Sequence, residues 1–118
     1  MALQHYFGSC QCGAVAYEVD LDLDRTVTCN CSRCRRLGSI LAFAPASAFQ
    51  LKAGEGAMSE YLFNTRKIHH LFCATCGIEP FGRGTAPDGT ETVAVNVRCL
   101  DGVDLKALTP MEYDGASK

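Results

Sequence analysis

Short alternating runs of apolar and polar residues, separated by turn formers, dominate the chain and predict a β-rich, loop-rich domain. Residues 14–20 place Val15, Tyr17 and Val19 on one face, the pattern of a half-buried strand. The polar stretch 20–24 then leads to a short strand at 26–28. Ser32 is placed to N-cap a brief helix through Leu37, with Gly38 as its terminator. Residues 40–44 read as a strand, and Pro45 fits the first position of one helical turn through Phe49. Gly54 and Gly56 mark a turn. Residues 58–63 and 67–72 read as paired strands joined around 64–66, and Pro87-Asp88-Gly89 marks a further turn. Residues 92–100 form the strongest strand pattern. Val93, Val95, Val97 and Cys99 share its apolar face, and Thr92, Ala94, Asn96 and Arg98 share the other. The stretch 110–118 is polar and rich in small residues, so a loosely held tail is expected. The reading is of one mostly β domain over residues 1–118.

Composition narrows the function classes. The hydrophobic fraction is 47% and the charged fraction 20%, which excludes intrinsic disorder for these 118 residues. The longest apolar candidate, residues 40–44, falls far short of the ~20 residues a membrane span needs. Residues 1–7 offer no basic region and no cleavable apolar stretch, so no secretory signal is expected and a cytoplasmic setting is. A net charge of -2 argues against generic nucleic-acid or membrane-surface binding.

The eight cysteines change the picture most. Close C-x-C and C-x-x-C pairs are poor geometry for bridging distant segments, and in a reducing compartment they read as metal ligands. Cys10-Gln11-Cys12-Gly13 and Cys73-Ala74-Thr75-Cys76-Gly77 are two ligand pairs, each followed by a glycine free to take a positive φ. Together they predict a closed, tetrahedral, structural zinc site. Cys29, Cys31 and Cys34 supply three further thiolates, and three protein ligands with one open position are the pattern of a catalytic zinc. Cys99 would close that site if it joined, but its place on the apolar strand face favours a small buried hydrophobe. Arg33, Arg35 and Arg36 crowd the start of the proposed helix, where they either answer an anionic ligand or point into solvent. The same helix start is expected to draw the Cys34 thiol toward its thiolate.

Gly8-Ser9-Cys10-Gln11-Cys12-Gly13, Cys29-Asn30-Cys31-Ser32-Arg33-Cys34-Arg35-Arg36 and Phe72-Cys73-Ala74-Thr75-Cys76-Gly77 resemble the glutathione-dependent formaldehyde-activating enzyme family, which includes centromere protein V. Val95-Asn96-Val97-Arg98-Cys99-Leu100 is similar to the family's closing strand, so the resemblance spans roughly residues 6–105. It implies a small zinc-stabilised domain of coiled, tent-like β-sheets with one or two short helices. It also implies a structural zinc on Cys10, Cys12, Cys73 and Cys76, and a second, labile or catalytic zinc on Cys29, Cys31 and Cys34. The implied activity is that of a carbon–sulfur lyase on thiol adducts such as S-hydroxymethylglutathione, the product of formaldehyde and glutathione. The segment Ile78-Glu79-Pro80 departs from the smaller or apolar residues usual there.

Glutathione carries two carboxylates, for which Arg35, Arg36 or Arg98 could act as bidentate partners, with Asn96 on the same strand face as Arg98. His70 or Glu79 could move the proton the reaction requires. Equally, His70 fits a half-buried core histidine between Ile68 and Phe72, and Glu79 a solvated loop residue. Two other functions fit the same cysteines. One is a non-catalytic zinc-binding protein-interaction module with a saturated second site. The other is a redox or metal-handling protein with exchangeable thiols.

Overall fold

The computed structural model describes residues 3–63 and 66–117. In chain order its strands are β1 (Gln4–Ser9), β2 (Ala16–Leu21), β3 (Val27–Cys29), β4 (Leu41–Pro45), β5 (Phe49–Ala53), β6 (Met58–Tyr61), β7 (His69–Cys73), β8 (Phe81–Thr85), β9 (Glu91–Asn96) and β10 (Met111–Tyr113). A single helical turn, α1 (Cys34–Leu37), and short 3₁₀ turns complete the described residues, so the domain is mostly β. A three-stranded sheet runs β1-β2-β5, and a seven-stranded sheet runs β10-β3-β4-β9-β8-β7-β6. No described helix is long and apolar enough to cross a membrane.

One cluster of buried side chains draws on both sheets. Val15, Tyr17, Val19 and Leu21 meet Phe49, Ala42, Ala44, Phe81, Val93 and Val95. The rings of Tyr17, Phe49 and Phe81 form its centre, with centroids 4.7–5.7 Å apart. Each fully buried side chain of this kind contributes about 1.5–3 kcal/mol relative to exposure. The Tyr17 hydroxyl donates to the carbonyl of Pro80 at 3.2 Å, which satisfies its one polar atom. Gly8 lies opposite Tyr17 in the β1–β2 register, and a Cβ there would meet the tyrosine ring at 2.5 Å. The small residue therefore makes room for the large one.

Several elements fall where the alternation predicts them, and β6 and β7 pair antiparallel as expected, from Met58↔Cys73 to Tyr61↔His70. Part of the join expected at 64–66 lies outside the described residues. Other expectations are corrected. Ser32 does not cap α1, whose N-cap is Arg33 with no side-chain cap, although Gly38 does close it at φ 74°. The long strand expected over 92–100 stops at Asn96. There the Asn96 side chain accepts the backbone N–H of Arg98 and turns residues 97–99 into a 3₁₀ turn. Cys99 therefore leaves the valine face and is half-buried rather than buried. The tail is held as well. β10 pairs in parallel with β3, in the register Met111↔Val27 to Tyr113↔Cys29.

On the outer face of the three-stranded sheet, His5 of β1 sits between two carboxylates of β2. Its Nδ1 is 2.8 Å from Asp20 and its Nε2 2.7 Å from Glu18. The hydrogen bond to Asp20, then that to Glu18, raises the imidazole above its usual range. This cross-strand stabilisation is present in full below the unfolded value of about 6.5 and fades as pH rises through the higher folded value. NMR titration is expected to place His5 above that unfolded value. In urea unfolding between about pH 6 and 8, His5→Ala is expected to remove this part of the pH dependence of stability. A histidine titrating at the ordinary value would refute the cross-strand pairing.

Candidate metal centres

Two chain reversals build the first cluster, and they are made alike. The backbone N–H of Cys10 donates to Val15 O, and that of Cys73 donates to Ile78 O five residues on. Gly13 (φ 82°) and Gly77 (φ 80°) close the turns in the left-handed region that the sequence reading required. The first reversal joins β1 to β2 and the second ends β7, so the folding of both sheets brings the two pairs together. The sulfurs of Cys10, Cys12, Cys73 and Cys76 all lie within 4.8 Å of one another. Cys12 Sγ is 3.7 Å from both Cys10 Sγ and Cys73 Sγ. A tetrahedron with Zn–S bonds of about 2.3 Å places its sulfurs about 3.8 Å apart, so the donor set and its spacing suit zinc. Backbone N–H groups point at these sulfurs: Val15 at Cys10 (3.3 Å), and Thr75 and Cys76 at Cys73 (both 3.4 Å). The amides of Cys76 and Thr75 lower Cys73, and those of Ile78 and Cys12 bring Cys76 down to about 6.

The second cluster joins the end of β3 to α1. Cys29 closes the strand, Cys31 lies in the loop, Cys34 opens the helix, and their three sulfurs lie within 4.8 Å of one another. The expected activation of Cys34 by the helix start is not what the structure gives. Its own N–H donates to Cys31 Sγ at 3.3 Å. Burial, then the hydrogen bond with Cys31 and the charges of Cys31 and Cys29, pushes the Cys34 thiol up. Burial also opposes the Cys31 thiolate, but the Cys34 amide and further hydrogen bonds outweigh it and lower Cys31. Among the described residues no histidine, carboxylate or fourth cysteine completes this group. Cys99 lies toward the other cluster, where burial, then the charges of Cys10 and Cys76, raises it to about 11.

Beside the second cluster is a charged cluster that the sequence reading only half anticipated. Arg33, between two of the cysteines, donates from Nε (3.2 Å) and from Nη2 to the same oxygen of Glu79. The other Glu79 oxygen lies 3.5 Å from Nδ1 of the buried His70. Burial raises the Glu79 carboxyl, but His70 and Arg33 outweigh it and hold it below its usual range. The backbone carbonyl of Glu79 accepts from Asn96 Nδ2 at 3.1 Å. Asn96 is thus buried and occupied within the fold, and Glu79 is no solvated loop residue. Arg33 lies over the Tyr61 ring at 4.7 Å, and Phe63 packs on His70 with centroids 5.2 Å apart. The position of Arg33 between two of the clustered cysteines was the signal in the sequence that could have singled it out.

The other arginines are placed differently. Arg36 donates to Ser32 O (2.8 Å) and Arg98 to Gly38 O (2.9 Å), both against the backbone around α1, while Arg35 is exposed. Ser32, Arg33, Arg36, Leu37, Tyr61 and Phe63 line an open cleft of about 540 Å³ next to the second cluster.

A sequence profile described as glutathione-dependent formaldehyde-activating enzyme matches residues 5–113. The fold is also similar to the crystal structure of a protein from Rhodobacter sphaeroides, with a TM-score of 0.79 and 37% identity. That likeness covers 90% of this chain and 97% of the other.

Proposed function

We propose, from the premise that this chain belongs to the glutathione-dependent formaldehyde-activating enzyme family, that it joins a small thiol to an aldehyde and releases the same adduct in reverse. In the forward direction the thiol sulfur forms a bond to the carbonyl carbon and the C=O π bond breaks. The thiol proton passes to solvent, and the new hydroxyl oxygen takes one from solvent. The observation that carries this reading is a three-thiol group without a fourth protein ligand among the described residues, set beside a cleft that contains two arginines.

Cys29, Cys31 and Cys34 would hold the second zinc, and Cys10, Cys12, Cys73 and Cys76 a structural one. Zinc bound by three thiolates supplies an open Lewis-acid position that favours the thiolate form of an incoming thiol. Arg36 gives the cleft positive charge, that of Arg33 being matched by Glu79, and Tyr61, Phe63 and Leu37 give it an apolar wall, which suits glutathione or a similar anionic thiol. Glu79 acts as a fixed carboxylate that holds Arg33 in place. His70 packs on the Phe63 ring and orients Glu79, and it carries no proton in this reaction.

The test is NMR detection of S-hydroxymethylglutathione from formaldehyde and glutathione. Cys34→Ala is expected to slow its formation by at least about 100-fold, given the several kcal/mol a catalytic metal ion supplies, with the circular dichroism spectrum unchanged. A parent protein no faster than the uncatalysed reaction would overturn the proposal and favour a non-catalytic zinc module. Full activity in the variant would do the same to the assignment of the site.

A further inference from the structure

The segment Asp114 to Ser117 lies beyond residues 5–113 of the family match, yet it packs on the three-cysteine cluster. A Cβ built on Gly115 would stand 2.5 Å from Cys29 Sγ and 3.3 Å from Cys31 Cβ. Only a glycine lets the backbone approach two of the three ligands so closely.

The segment is also latched. Asn30, the residue between ligands Cys29 and Cys31, donates from Nδ2 to Asp114 Oδ1 at 3.0 Å and accepts the Ala116 N–H on Oδ1 at 2.9 Å. Its own N–H donates to Tyr113 O at 3.2 Å. Ser117 Oγ donates back to Asp114 Oδ2 at 3.0 Å, which folds the end into a tight loop. β10 delivers the segment there by its parallel pairing with β3, the strand that ends in Cys29.

We propose that residues 111–117 form a strap over the Cys29–Cys31–Cys34 site, with the Asn30 side chain as its latch. Opening the strap sets how fast a metal ion, and a thiol arriving at it, exchanges there. The strap is an edge strand of three residues followed by one exposed turn, the kind of unit that opens locally at small cost while the rest of the fold stays closed. The inference rests on the reading that this cluster holds zinc, and not on the reaction assigned to it.

The experiment is zinc release to a chromophoric chelator from the full chain, alongside deuterium uptake of residues 111–117. Asn30→Ala is expected to speed uptake there. It should release the more labile zinc roughly tenfold faster, the scale of losing one or two net hydrogen bonds, and leave the other zinc unchanged. The exchanged pair Asn30→Asp with Asp114→Asn keeps an acceptor for Ala116 N–H and a donor–acceptor pair across the latch, so it should restore both rates. Gly115→Ala keeps Asn30 and must lift the strap by contact, so it should also speed release. A freed strap with unchanged release in both single variants overturns the proposal. One zinc per chain in the parent would overturn the reading of the cluster itself, whereas two zincs with unaltered release would overturn the strap alone.

Discussion

Cys73→Ala is expected to abolish the folded state at room temperature, in contrast to Cys34→Ala, which should leave it intact. Cys73 is fully buried at the end of β7, and its sulfur accepts two backbone N–H groups as well as lying beside Cys12 Sγ. The four sulfurs tie the β1–β2 turn to the end of β7, which belong to different sheets. Binding free energy at such a site is folding free energy, about 10–16 kcal/mol for structural zinc in small peptides at neutral pH. The whole stability of an ordinary domain is about 5–15 kcal/mol, so losing most of the metal contribution exceeds what the aromatic core can offset. Far-ultraviolet circular dichroism should show a flat melt without a cooperative transition, and added zinc should not restore one. A cooperative melt within a few degrees of the parent would mean that this cluster does not hold the fold together.

The two clusters were legible in the sequence because cysteine spacing is a local feature, and in the first cluster so is the glycine after each pair. Cys10, Cys12, Cys73 and Cys76 converge as the spacing implied, and so do Cys29, Cys31 and Cys34. Strands with clear alternation, such as β2 and β9, were legible for the same reason. Most strands that escaped notice lack that signature. β5 is the exception: Phe49-Gln50-Leu51-Lys52-Ala53 alternates, but it follows directly on the turn at 46–48 and was passed over. β8 carries two glycines, and β1 exposes half of its residues, Phe7 included. The tail strand β10 is wholly exposed, and what orders it is pairing with β3, a partner more than eighty residues away that no local pattern reveals. Asn96 reversed an expectation in the same way. Its alternation with valines looked like continued strand, but its short amide side chain captured a backbone N–H and ended it. The charged cluster was the least legible feature, because Arg33, Glu79 and His70 come from three separated segments.

Glu79→Ala is expected to destabilise the protein by about 2–3 kcal/mol at neutral pH, just under the ~3–5 kcal/mol that breaking a fully buried ion pair costs. The carboxylate is 8% exposed and holds a guanidinium that keeps about a quarter of its side chain in water and one face on Tyr61. That residual hydration places the cost below a fully buried pair, while the cavity left beside His70 adds to it. Glu79→Gln should cost less, since it keeps the volume and an acceptor for Arg33. The pH dependence separates an ion pair from mere packing. Because the folded carboxyl lies below its unfolded value of about 4.3, the ionic stabilisation is present above that value and is lost as pH falls through the folded one. The difference between parent and Glu79→Gln in urea unfolding should therefore be present above about pH 5 and shrink below about pH 4. A difference that stays constant into acid would mean that Glu79 is held by shape alone. Arg33 sits next to Cys34, so the same variants should also loosen the proposed second metal site, and a zinc-release rate that follows the loss of stability would tie the charged cluster to that site.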